Sequence, residues 1–118
     1  TSASIASGDD GDLTITGYRG YVLYKIKPSV ASWVRIYCDE TSRTNDSSRS
    51  HGNDPLPGSG VIAEVLTTSA DQEVLLTPGV MGFNNDSSPS TNIYLAINNR
   101  SGSAAAVTVT LTVLKIGE

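Results

Sequence analysis

Cysteine, methionine, tryptophan, phenylalanine and histidine each occur once in this chain of 118 residues. One cysteine, Cys38, excludes any disulfide within the chain, and its apolar surroundings make a small buried core position the expectation. The single His51 beside a single cysteine falls short of the several nitrogen and sulfur ligands that a zinc site uses, and no other cofactor motif is present. Positive charge is sparse: eight Lys and Arg stand singly between Arg19 and Lys115, against twelve Asp and Glu, for a formal charge of −4. With no basic stripe to follow a phosphate backbone, nucleic acid is not an expected partner. The longest apolar run is a few residues, far short of the ~20 that cross a bilayer as a helix, so no membrane span is expected. The opening, Thr1 to Gly11, is small, polar and acidic, unlike the basic and apolar regions of a secretory signal. A first residue Thr1 is what removal of an initiator Met before a small side chain leaves, and a trimmed chain starts the same way.

This length suits one domain and is short for two. The apolar fraction of 38% lies below the roughly 45–50% of soluble domains, even allowing for the different treatment of Gly. A core that thin places part of the expected buried surface between subunits.

What the chain does have is two-residue periodicity. After Ala106, from Val107 to Val113, apolar and hydroxyl side chains alternate without a break, the pattern of a strand with one buried and one wet face. Gly, Pro, Asn, Asp and Ser cut the remainder into short runs rich in β-branched and aromatic residues, the texture of an antiparallel sandwich or barrel. Strands are expected at Leu13 to Thr16, Tyr18 to Lys27, Val30 to Cys38, Gly60 to Thr67, Glu73 to Thr77, around Val80 to Phe83, at Asn92 to Asn98 and at Ala105 to Ile116. The fold class is therefore all-β, a single antiparallel β-sandwich of six to eight strands. Residues 1–16 form an N-terminal arm with a first short strand, and residues 17–118 form the sandwich. In the second run, Gly20, Val22, Tyr24 and Ile26 make an apolar face opposite a mixed one. In the third, Val34, Ile36 and Cys38 are better core candidates than Trp33, Arg35 and Tyr37. Leu114 and Ile116 fall on the opposite parity from Val109, Leu111 and Val113, which calls for a bulge or for burial on both faces. Burial of that end against another element or another subunit is the favoured expectation. A helical turn is expected only at Thr41 to Arg49.

The connection from Asp39 to Gly60 is the first place to look for function, since loops of about twenty residues inside small domains are uncommon. Asp46 stands three residues from both Arg43 and Arg49, close enough for carboxylate and guanidinium to pair within one turn and hold the loop in place. Ser47, Ser50, His51 and Asp54 supply the residue types of a serine triad, but such types meet in any Ser-rich loop, and no nucleophile-elbow pattern accompanies them. No catalytic residue is assigned, and an enzyme is not expected. Gly8-Asp9-Asp10-Gly11-Asp12 and Asn84-Asn85-Asp86 carry oxygen ligands without the full calcium-loop spacing, so solvated turns are expected and no metal is assigned. The aromatic side chains Tyr18, Tyr21, Tyr24, Trp33, Tyr37 and Tyr94 all fall in strands, where core or interface roles outweigh a sugar platform.

Four segments taken together carry a resemblance. They are Gly17-Tyr18-Arg19-Gly20-Tyr21-Val22-Leu23-Tyr24-Lys25-Ile26, Trp33-Val34-Arg35-Ile36-Tyr37, Ser42-Arg43 with Asp46-Ser47-Ser48-Arg49, and Asp54-Pro55 with Pro57-Gly58-Ser59-Gly60-Val61-Ile62-Ala63-Glu64. With the closing Asn92-Ile93-Tyr94, Asn98-Asn99-Arg100-Ser101-Gly102 and the Thr-alternating strand, they resemble a small β-domain of virion proteins in tailed bacteriophages, notably those infecting cyanobacteria. The resemblance runs from about Gly17 to Ile116. It implies a jelly-roll-like, noncatalytic structural protein of the virion, assembled in the host cytoplasm and often trimeric. Either a capsid decoration (cement) protein that binds the major capsid protein or another virion protein, or the tip of a fibre that binds host glycans, fits that implication. The absence of a shaft or long repeat before Thr16 leans toward the stand-alone protein. Contact is expected through the N-terminal arm, with Asp9, Asp10 and Asp12, and through the long loop, with Arg43, Asp46, Arg49 and His51. The arm's flexible composition suits a segment that orders on docking.

Overall fold

Alternation along the chain becomes two antiparallel sheets facing each other, seen in a computed structural model that describes residues 1–49 and 58–117. In chain order the elements are β1 (Ser4–Ile5), β2 (Asp10–Thr16), β3 (Gly20–Pro28), β4 (Ser32–Tyr37), α1 (Glu40–Asn45), β5 (Val61–Leu66), β6 (Val74–Phe83), β7 (Asn92–Asn99), β8 (Ala105–Ala106) and β9 (Val109–Gly117). One sheet has the order β2-β7-β4-β5, the other β6-β3-β9, and β1 pairs with β8 in a two-stranded ribbon. The all-β sandwich class is thus present, and the helical turn overlaps the expected segment, beginning one residue before it at Glu40 and ending at Asn45.

The core lies between the sheets. Val34, Ile36, Leu95 and Ile97 come from the centre of the four-stranded sheet, and Leu23 and Ile26 oppose them from β3, all buried. Each such side chain contributes about 1.5–3 kcal/mol relative to exposure. Val109, Leu111 and Val113 face the same core while their threonine neighbours face water, as the alternation requires.

Three readings of the sequence are corrected and one is extended. In β3 the inner side chains are Tyr21, Leu23 and Ile26, not the series Gly20, Val22, Tyr24 and Ile26. The register with both neighbours shifts between Leu23 and Lys25, so Tyr24 is an inserted residue and parity reverses there. In β4 every residue is buried, Trp33, Arg35 and Tyr37 included, because α1 and Arg49 cover the outer face. Leu114 and Ile116 are not buried against another element of the chain, since each is 54% exposed. Both lie on the outer parity of β9, with a register shift between Lys115 and Gly117.

The remaining correction concerns the arm. Residues 1–16 supply β1 and the whole of β2, and Ile5 belongs to the core. Ile5 occupies the space that a Cβ on Gly11 would need, so this close approach requires glycine. Asn99, fully buried, donates to the carbonyls of Ile5 at 2.8 Å and Ser103 at 2.9 Å, and Ser2 N–H donates to Val107 at 2.9 Å. The arm is stitched into the sandwich, so removing residues 1–12 would remove sheet structure and not a free tail.

Burial also sets the alkaline limit of the fold. Desolvation raises the Tyr21 phenol from about 10 up to about 12, and burial followed by the Asp46 hydrogen bond raises Tyr37 further. A raised phenol favours the neutral form in the folded state, so its contribution is whole below pH ~10 and is lost as pH climbs through the folded value. Stability is expected to fall by about 2 kcal/mol between pH ~10 and ~12 from Tyr21 alone. Urea unfolding across that window checks this, and Tyr21→Phe should shallow the decline.

Candidate functional site

Among the described residues, two outer sheet faces carry the features beyond the core that bear on function. The first is the outer face of the four-stranded sheet, where most of the candidate contact residues converge. Asp39 caps α1 by accepting from Ser42 N–H at 2.6 Å, and this places Arg43 beneath the helix. Its Nη1 donates to the carbonyls of Leu13 at 3.3 Å and Leu95 at 3.4 Å and to Thr14 Oγ1 at 3.3 Å. The guanidinium lies 5.1 Å from the Tyr94 ring centre and 3.7 Å from Asp12. Arg43 therefore pairs with Asp12 and, at 3.8 Å, with Glu40, while Asp46 takes Arg49. Both Asp46 oxygens accept from Arg49 Nε at 3.0 Å, and Oδ2 also accepts from the Tyr37 hydroxyl. Arg49 continues to Glu64 at 3.1 and 3.2 Å, and Glu64 accepts from Trp33 Nε1 at 3.0 Å. Arg35 lies 4.1 Å from the Trp33 ring centre and 3.5 Å from Asp10.

This lattice ties α1 and the segment after it to all four strands. Arg43 and Asp46 are buried, and the Arg49 side chain is 7% exposed, so their charges are engaged inside the molecule, which is a structural clasp. Asp10 and Asp12 keep exposed oxygens at its margin, Asp9 is exposed in the turn before β2, and His51 lies outside the described residues. Of the triad types, Ser47 is exposed and Ser50, His51 and Asp54 lie outside the described residues. Trp33 and Tyr37, at 4% and 1% exposure, are too buried to stack on a sugar. The Asn84–Asp86 turn spends its oxygens internally: Asp86 Oδ2 accepts from Tyr94 hydroxyl at 2.8 Å and Asn84 Nδ2 at 3.1 Å, while Asn84 Oδ1 accepts from Asp86 N–H and Ser90 N–H. Among the described residues no group of three or more His, Cys, Asp or Glu side chains converges.

The cap makes the clasp sensitive to Asp39. Its hydrogen bonds to Ser42 lower the Asp39 carboxyl below the usual range, so the stabilisation is present above the ordinary carboxylate value and fades as pH falls. Asp39→Ala is expected to cost about 1 kcal/mol at neutral pH, measured by urea unfolding. The difference should shrink in acid, where the parent carboxyl is protonated.

The second surface is the outer face of the three-stranded sheet. Its middle row runs Met81, Val22, Leu114 across β6, β3 and β9, flanked by Phe83, Tyr24 and Ile116. Met81 is 67% exposed, Leu114 and Ile116 54%, Phe83 50% and Tyr24 40%. Together they put a run of large, half-exposed apolar side chains on one sheet face, the kind of surface that marks interaction sites. Leu75, at 64% exposure, extends the apolar surface at the other end of β6. The sequence carried a signal for this face in the parity of Leu114 and Ile116. The contribution of Met81 and Phe83 was hidden because the register change in β3 was not legible. No known protein family matches the chain, and no curated protein matches it in sequence.

Proposed function

We propose that this chain is a noncatalytic structural protein of a tailed-phage virion that acts by contact, docking onto a neighbouring virion subunit, the major capsid protein foremost. The observation that carries this reading is the apolar outer face of β6, β3 and β9. A chain with a formal charge of −4 and a 38% apolar fraction nonetheless turns six large apolar side chains, Leu75 included, to water on one sheet. Such faces mark interaction sites. The clasp on the opposite sheet supports the same reading from the other side, because its carboxylates and guanidinium groups hold the fold. The resemblance to cyanophage virion domains supplies the class of partner. Binding to assembled shells alone would stabilise them by mass action, in proportion to occupancy.

Cosedimentation with undecorated heads tests the proposal. The purified chain should pellet with the shells, saturate at a fixed stoichiometry, and raise the temperature at which they release their contents. A chain that stays in the supernatant at every concentration would refute the capsid role.

A further inference from the structure

Charge is sorted between the two sheets. The chain has three lysines, Lys25, Lys27 and Lys115. All of them lie in β3 and β9, while β3, β6 and β9 together contain no Asp or Glu. The opposite sheet and its helix expose the carboxylates Asp10, Asp12 and Glu40, with Asp9 in the turn before β2. There Arg35, Arg43 and Arg49 are engaged in the clasp. A chain of formal charge −4 thus has one sheet whose strands carry only positive charge.

The lysines frame the apolar face. On the outer side of β3, Lys25 and Lys27 follow Tyr24, and Lys25 stands in a row with Leu75 and Thr112. Lys25 Nζ is 3.6 Å from Glu73, in the loop before β6. At the other end Lys115 comes between Leu114 and Ile116, its Nζ 5.7 Å from the centre of the Tyr18 ring. The row Met81, Val22, Leu114 therefore lies between lysines.

This pattern selects among occupants. A second copy laid face to face brings lysine against lysine. The opposite sheet of another copy is acidic, but among the described residues its outer face exposes only Leu66 as a large apolar side chain. An anionic bilayer recruits proteins through clusters of about four to eight Lys and Arg, more than these separated lysines supply, and its continuous negative field repels the rest of an acidic chain. A protein surface, in contrast, can set single carboxylates opposite single lysines around an apolar patch.

We propose that the partner surface of this face is apolar at its centre and carries Asp or Glu side chains that meet Lys25, Lys27 and Lys115. The inference rests on the docking role given above and adds the partner's chemistry. The same carboxylates repel the acidic sheet, so charge also decides which sheet turns toward the partner.

Cosedimentation with undecorated heads in low and high NaCl tests this, because salt acts with opposite sign on the two kinds of electrostatics. Repulsion between two acidic bodies is relieved by salt. Contacts between lysine and carboxylate weaken as the screening length falls from about 10 Å at about 0.1 M to about 3 Å at about 1 M. Binding is expected to weaken by about tenfold across that range. Lys27→Gln/Lys115→Gln spares the Lys25 pair with Glu73. It should bind in low salt about as weakly as the parent in high salt, with circular dichroism and melting temperature unchanged. Arg100→Gln, in the loop after β7, should behave as the parent, and vesicles of phosphatidylserine and phosphatidylcholine should leave the chain in the supernatant. Salt-independent binding to heads, or parental affinity of the double variant, overturns the carboxylate partner and leaves the docking role standing. Equal binding to the vesicles overturns the protein partner in favour of a lipid surface. If heads are not bound at all, the capsid role falls, and a resin bearing carboxylates on phenyl linkers decides the chemistry of the face. The parent, despite its −4, should be held on that resin longer than the double variant, and coelution overturns the proposal.

Discussion

Met81→Lys/Leu114→Lys is expected to abolish cosedimentation with phage heads while leaving the fold intact. Both side chains stand on the outer face, 67% and 54% exposed, and flank Val22 in one cross-strand row. Exposed substitutions of this kind change stability within about 0.5 kcal/mol, so the melting curve should hardly move. At the centre of an apolar contact each lysine brings a charge that must be desolvated, and central positions cost about 2 kcal/mol or more. Two together weaken binding by at least about a hundredfold. A charge pair of the same kind at the exposed Thr68 and Ala70, in the loop before β6, should leave binding unchanged. Binding of the double variant at parental affinity would remove this face from the contact.

Asp46→Ala is expected to produce the largest loss of stability of any single polar substitution in the clasp. Its carboxylate receives the buried Tyr37 hydroxyl and the Arg49 guanidinium together, so truncation leaves two buried donors short of their acceptor. Removing one member of a buried charge pair costs about 3–5 kcal/mol. Because Arg49 retains Glu64, the lower end, about 3 kcal/mol, is expected from the midpoint of urea unfolding with an unchanged slope. That is a large share of the ~5–15 kcal/mol of a typical domain.

Arg35 makes the opposite case. It is fully buried, none of its guanidinium nitrogens has a hydrogen-bond partner, and its ion partner Asp10 sits 3.5 Å away with an exposed side chain. Replacing it by a well-packed apolar side chain removes a desolvated charge and leaves a carboxylate that water can reach. Arg35→Met is therefore expected to be neutral or stabilising, by up to about 2 kcal/mol, even after losing the stacking on Trp33. A loss of several kcal/mol would show that the guanidinium is better satisfied than its geometry indicates.

The sequence disclosed those parts of the architecture that depend on local pattern. Val109, Leu111 and Val113 alternate with threonine and do face the core, and Val34 and Ile36 were separable from their neighbours by parity alone. A helical turn near Thr41 was legible because the segment lacks alternation, whereas the Asp39 cap that starts it was seen only in the structure. The rest depended on registers and long-range partners. One inserted residue, Tyr24, reversed the faces of β3, and no local feature marks it. Trp33, Arg35 and Tyr37 ranked below Val34, Ile36 and Cys38 as core candidates because alternation cannot show that a helix and Arg49 will cover their face. The pairing of Asp46 with Arg49 was readable from spacing, whereas the link from Arg43 to Asp12 joins residues thirty-one apart in the chain. The arm's small polar composition concealed one apolar residue, Ile5, whose burial over Gly11 fixes it to the sandwich.

Cryo-electron microscopy of heads incubated with the chain tests the central claim most directly, that it works by laying the apolar face of β6, β3 and β9 on the shell. The expected result is density at symmetry-related positions, oriented so that Met81, Phe83 and Leu114 meet the capsid surface. Heads left bare under saturating protein, or density in which that face points to solvent, would contradict it.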